Sequence, residues 1–94
     1  MDRMPALSVA AVPGRRQWTI ELAQDIERRG FTGIYTPSVV GDSMAFCQAL
    51  AMATHEITFG TSIAPIYFRQ TVDYAATASF IHEISGGRFR FGIG

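Results

Sequence analysis

Few side chains in this sequence could do chemistry by themselves. His55 and His82, the single cysteine Cys47 and Asp42 are the candidates for acid–base or nucleophilic work. One cysteine forms neither an internal disulfide nor a thiolate metal site, and no metal is predicted. Cys47 falls within an apolar helical stripe and reads as a small core residue rather than a nucleophile. Asp42 stands directly before a helix and reads first as its N-cap. Gly92-Ile93-Gly94 follows a strand, but a bare G-x-G lacks the third glycine and the following helix of a dinucleotide fingerprint. The position of these residues in the fold therefore decides their meaning.

The elements that position them follow from periodicity. Residues 6–12 form a short apolar run closed by Pro13-Gly14, as a strand buried on both faces reads. Across residues 16–29, Trp18, Leu22 and Ile26 recur at four-residue steps and Gly30 follows as a stop, which predicts an amphipathic helix. Residues 33–37 give a second strand. A second helix runs from the Asp42 cap to about Thr54, with Met44, Cys47, Leu50 and Ala51 inward. Residues 57–64 give a third strand ended by Pro65. Thr71 caps a third helix with a stripe of Val72, Ala76, Phe80 and Ile84, stopped at Ser85-Gly86-Gly87. Residues 88–94 alternate as a fourth strand, which turns Phe89, Phe91 and Ile93 toward the helices and Arg90 and Gly92 to the opposite face.

The order βαβαβαβ demands a parallel sheet with right-handed crossovers. Strands begin near residues 6, 33, 57 and 88, giving repeats of 27, 24 and 31 residues, against about 31 for an eight-unit barrel of about 250 residues. The prediction is an α/β chain forming the N-terminal half of a (β/α)8 barrel. The rival open doubly wound sheet needs a glycine-rich phosphate loop after its first strand, where this chain has a single glycine, Gly14. In a barrel the loops leaving strands line the active face. His55 precedes strand three and His82 ends helix three, so both read as structural or solvent-facing. Residues 13–16, 38–42, 62–70 and Gly94 lie on the active face, where Tyr67 and Arg69 could form a pocket wall and an anion contact, although an exposed loop arginine is more often merely solvated.

Two runs carry a family resemblance. Phe59-Gly60-Thr61-Ser62-Ile63-Ala64-Pro65-Ile66-Tyr67, and residues 82–94 with Ser85-Gly86-Gly87-Arg88-Phe89-x-x-Gly92-x-Gly94, resemble the bacterial luciferase-like monooxygenases, which are flavin- or deazaflavin-dependent oxidoreductases. The resemblance implies a complete (β/α)8 barrel of which residues 1–94 are a partial domain ending after strand four. It implies hydride transfer to or from the central ring of FMN or of coenzyme F-420, with the choice open, and a small-molecule substrate. It implies a ring near Ser38, against Ser62, Ile63 and Ala64, with small residues ending at Gly94 keeping the mouth open. It also implies a cis Ser62–Ile63 peptide bond. No catalytic side chain is assigned, since much of the family's cofactor and substrate site lies in later units.

The composition agrees with a folded domain: 48% hydrophobic and 17% charged residues, with net charge +0. Without a basic run no nucleic-acid partner is expected, and without a leader pattern at Met1-Asp2-Arg3-Met4-Pro5 or a spanning run no membrane is expected, leaving the cytoplasm as the location. A half-barrel would expose two strand edges, so the chain is expected to be completed by a C-terminal half or to associate as a homo-oligomer. The rival from another class is a noncatalytic half-barrel or assembly module that binds no cofactor alone.

Overall fold

The computed structural model describes residues 5–38, 41–65, 67 and 69–94. Val39, Val40, Ile66 and Phe68 of the expected active-face loops lie outside the described residues, as do Met1 to Met4 of the start. In chain order the elements are β1 (Leu7–Ser8), α1 (Arg16–Arg28), β2 (Gly33–Thr36), α2 (Ser43–Ala53), β3 (Thr58–Thr61), α3 (Thr71–Ile84) and β4 (Phe89–Arg90). All strand pairs are parallel and the strand order is β1-β2-β3-β4. Consecutive order is that of a barrel; it excludes a doubly wound sheet, whose order reverses at a switch point. No helix is long and apolar enough to cross a membrane among the described residues.

Register divides the sheet into two faces. Leu7, Ile34, Phe59 and Phe89 stand at one level and join the helices in the core, where Ile34 and Phe59 are fully buried with Met44, Cys47, Leu50 and Ile81. Ser8, Tyr35, Gly60 and Arg90 stand one residue on, on the opposite face. All four residues expected inward on α2 are buried, and Phe46 joins them.

The expectation for α1 holds in part, with Ile26 in the core and Leu22 packed against it, whereas α3 presents a different side from the one expected. On α1 the buried line is Thr19, Ala23 and Ile26, and Trp18 is 58% exposed. On α3 the expected stripe Val72, Ala76, Phe80 and Ile84 faces solvent, while Tyr74 and Ile81 turn inward. The physical reason is winding. Four residues turn an α-helix by about 400°, so strict four-residue steps drift around it by about 40° each, whereas mixed steps of three and four hold one side. Thr71 is the first helical residue of α3 and not its cap; Gln70 takes that position, and its carbonyl accepts the amides of Asp73 and Tyr74.

Strands at the edges are shorter than their sequence patterns. Paired residues of β1 end at Ser8, followed by one more bond from Val9 N to Tyr35 O at 2.9 Å, because the chain then turns through bonds among residues 10–15. β4 pairs at Phe89 and Arg90 and again only where Ile93 meets Ala64. Arg90 stands opposite Gly60, thirty positions earlier, but Ile93 opposite Ala64, twenty-nine earlier, so β3 carries one extra residue between them. This is a bulge. Inside it the Thr61 hydroxyl donates to Gly92 O at 2.6 Å and accepts from Gly92 N at 2.8 Å, replacing the ladder with a side chain. Phe91 keeps the expected helix side, with its ring 5.5 Å from that of Tyr74, but it and Ile93 stay exposed where Phe89 is buried.

At the end where strands begin, one carboxylate organises the entry to β3. Glu27 Oε2 accepts the amides of His55, Glu56 and Ile57 at 2.8, 2.6 and 2.9 Å. Desolvation pushes the Glu27 carboxyl upward, but the three amides, joined by the His55 charge, outweigh it and hold the group below its ordinary value. Lowered in the folded state, Glu27 contributes stability above the unfolded value of about 4.5, and that contribution is lost as pH falls through the lower folded value. Urea midpoints are expected to place wild type above Glu27→Gln at pH 7, with the gap narrowing as pH falls below the unfolded value of about 4.5. A gap unchanged by pH would remove the charge from the account.

Candidate functional site

The strand exits meet at the bulge. Ser62 sends its amide to Thr36 O at 2.9 Å, tying the exit of β3 to that of β2. Ala64 donates to Gly92 O at 2.9 Å and accepts from Gly94 N at 3.2 Å, tying it to the run after β4. The Ser62–Ile63 peptide bond is cis, as expected. Ile63 is half exposed and rests on glycine, since a β-carbon on Gly94 would come within 3.0 Å of Ile63 Cδ1. Ser62, Ile63, Ala64 and Gly94 are thus brought together. Ser62 is exposed and its hydroxyl has no partner among the described residues.

Ser38 stands apart from that cluster, with its hydroxyl hydrogen-bonded to that of Ser43 at the start of α2. It lines a recess of about 250 Å³ with Gly41, Asp42, Ser43, Arg69 and Tyr74. Asp42 caps α2 as expected, accepting the amides of Met44 and Ala45 at 3.0 and 3.3 Å through Oδ1, and its other oxygen pairs with Arg69. The Arg69 guanidinium also donates to Thr77 Oγ1 at 3.1 Å and lies 5.9 Å from the centroid of the Tyr74 ring. Arg69 is therefore engaged with protein groups, which corrects the expectation of an anion contact: a cation already matched by Asp42, with Asp73 at 3.8 Å, has no surplus charge to offer. Tyr67 is exposed.

The groups set aside on sequence grounds stay aside. His55 and His82 are exposed at the entering end. Cys47 is fully buried, and desolvation, with Asp42 adding to it, raises its thiol to about 12. No cluster of metal ligands exists among the described residues. Three residues that matter were missed. Thr61 builds the bulge, Arg88 spans two helix ends and a strand entry, and Tyr74 donates its hydroxyl to Pro65 O at 2.6 Å. Burial, and more weakly Asp42 and Asp73, raise the Tyr74 phenol while Arg69 opposes them, so it stays protonated to donate. Thr61 and Arg88 stand in the two runs that carry the resemblance but show no role locally, because each acts on partners distant in sequence, and Tyr74 lies off its helix's apparent stripe.

Comparison with known proteins decides what this arrangement is. The family model for luciferase-like monooxygenases matches residues 5–94. The chain belongs to the luciferase-like monooxygenase family. Solved structures with the same fold include the coenzyme F420-dependent tetrahydromethanopterin reductase of Methanopyrus kandleri, at 21% identity and a TM-score of 0.82 over 100% of this chain. The FMN complex of the oxygenating constituent of 3,6-diketocamphane monooxygenase, from the CAM plasmid of Pseudomonas putida, aligns over 100% at 18% identity and a TM-score of 0.85. Monooxygenase RslO1 of Streptomyces bottropensis aligns over 95% at 20% identity and a TM-score of 0.81. This luciferase-like chain spans 27%, 30% and 32% of those chains, respectively. No curated protein matches it at a significant level.

Proposed function

We propose that this luciferase-like chain supplies the N-terminal half of an oxidoreductase that uses FMN or coenzyme F-420 on a small-molecule substrate in the cytoplasm. In this reading residues 1–94 are a partial barrel domain, completed by a C-terminal half or by association of copies. The observation that carries it is the exposed Ile63 seated on Gly94 at the carboxyl end of a parallel sheet, where barrel ligands bind.

The residues present fit a flat heteroaromatic group. Ile63 offers an apolar surface of the right kind to back a ring. Gly94 adds no side chain to obstruct it, and the Ser62 hydroxyl is left to contact a polar edge. Ser38 contributes from the β2 exit, where its hydroxyl can bond a second partner beside Ser43. Ala64, 1% exposed, takes part through its backbone and the bonds that hold Gly94. When bound, the group supplies hydride transfer at its central ring, and the chain's share is to position it. Both the reductase and the FMN-bound monooxygenase among the similar structures support the two cofactor options equally.

The test is the protein from its natural source, purified under native conditions, with its intact mass and absorption spectrum recorded. A barrel-sized assembly carrying an oxidised flavin or deazaflavin spectrum is expected. A colourless 10.3 kDa species would overturn the proposal in favour of the noncatalytic half-barrel module.

A further inference from the structure

Tyr74 touches the exits of two strands at once. Its hydroxyl donates to the carbonyl of Pro65, the residue after Ala64, at 2.6 Å. Its ring packs 5.5 Å from that of Phe91, just after β4, and the side chain is 3% exposed. Arg69 lies over the same ring and pairs with Asp42, the cap of α2, so a third exit is joined. The residues held between Pro65 and Phe91 are those of the candidate site: Ala64 and Gly94 exchange a backbone bond, and Ile63 rests on Gly94. A helix residue with one polar atom, buried, and aimed at the backbone beside a site is poorly used if packing is all it provides, because an apolar side chain would fill the same volume without a group to satisfy.

We propose that Tyr74 is a positioning residue for the candidate ring site, its hydroxyl fixing the backbone at Ala64 and Pro65 so that Ile63 and Gly94 keep their spacing. The inference rests on the proposed cofactor reading for its purpose, and on the hydrogen bond for its mechanism. Tyr74→Phe removes one oxygen and keeps the ring against Phe91.

Two measurements separate the two layers. Amide hydrogen exchange is read at Ala64 and Gly94, with Phe59 and Leu50 as references in the sheet and in α2. Exchange at Ala64 and Gly94 is expected to quicken at least about tenfold in Tyr74→Phe while the reference amides hold, since the freed carbonyl loosens only its neighbourhood. Unchanged exchange at the two sites overturns the proposal, and so does an equal rise at all four amides, which would make Tyr74 a general packing residue. FMN and coenzyme F-420 are then titrated separately against wild type and variant of the native protein. A weaker Kd in the variant, with a shifted ligand spectrum that Phe80→Ala on the exposed side of α3 does not cause, supports positioning of the ring. Equal Kd and spectrum overturn it. Absence of binding by both proteins refutes the cofactor reading, and the exchange result still decides the role of Tyr74.

Discussion

Replacing Arg88 by alanine is expected to cost about 3–4 kcal/mol of stability, read from the urea midpoint. All five guanidinium N–H donors are used. Nε donates to Ser85 O at 2.7 Å; Nη1 to Thr54 Oγ1 and Ile57 O, both at 2.9 Å; Nη2 to Ala51 O at 3.2 Å and Thr54 O at 3.1 Å. Four of the five acceptors are backbone carbonyls, and those of Ala51 and Thr54 end α2, a helix with no basic residue in its own last turn. Arg88 supplies that charge from the start of β4, and lies 5.4 Å from the centroid of the Phe59 ring. Removing it strands several acceptors together, a large fraction of the roughly 5–15 kcal/mol that holds a domain folded. Arg88→Lys is expected to recover less than half of the loss, because an ammonium has three donors on a flexible stem and cannot serve a planar fork. Arg90→Ala is the control. Among the described residues its guanidinium bonds only the nearby carbonyls of Gly87 and Phe89, so a change within about 0.5 kcal/mol is expected. A lysine at 88 with the wild-type midpoint would refute the fork geometry.

Gly60→Ala is expected to unpair β4 from β3. A β-carbon at Gly60 would lie 1.9 Å from the Arg90 carbonyl oxygen and 2.9 Å from its carbon. Both are backbone atoms in the facing strand, so relief comes only by moving the strand. That separation would also part the Phe59 and Phe89 rings, now 5.8 Å apart in the core. The cost should exceed the roughly 1–3 kcal/mol typical of overpacking, since no side chain can rotate away. Gly33→Ala gives the contrast. Its β-carbon would meet Tyr35 Cε2 at 2.9 Å, the far end of a side chain, and Thr58 O only at 3.2 Å. Thermal unfolding with near-ultraviolet dichroism should show Gly33→Ala folded with a modest loss, and Gly60→Ala without fixed aromatic packing. Similar melting of the two would show that β3 and β4 part at little cost.

What the sequence by itself determined is the part governed by neighbours within about a turn. Gly30, Gly86 and Gly87 take φ of 85°, 65° and 83° where the helices were expected to stop. Asp42 caps α2 because its carboxylate reaches amides two and three residues ahead. Alternation in residues 88–94 placed Phe89 and Phe91 on the helix side, and the unit lengths implied a barrel sheet. Strand order put residues 38–42, 62–70 and Gly94 at the exits, and the family resemblance singled out Ser38, Ser62, Ile63, Ala64 and Gly94 among them, of which Ser38 stands apart beside Ser43.

Tertiary structure decided the rest. Which line of α3 is buried, and that Thr19 rather than Trp18 begins the line on α1, depends on the shape of the sheet beneath, and apparent stripes at four-residue steps wind off that line. Arg69 finds Asp42 27 residues away, Arg88 reaches acceptors 31 to 37 residues away, and Thr61 bonds Gly92 across 31. In a parallel sheet neighbouring strands are separated by a whole helical crossover, so partners adjacent in space stand about a repeat apart in sequence. Propensity and capping act locally; charge pairing, carbonyl satisfaction and the extra residue of the bulge are settled only when the strands meet.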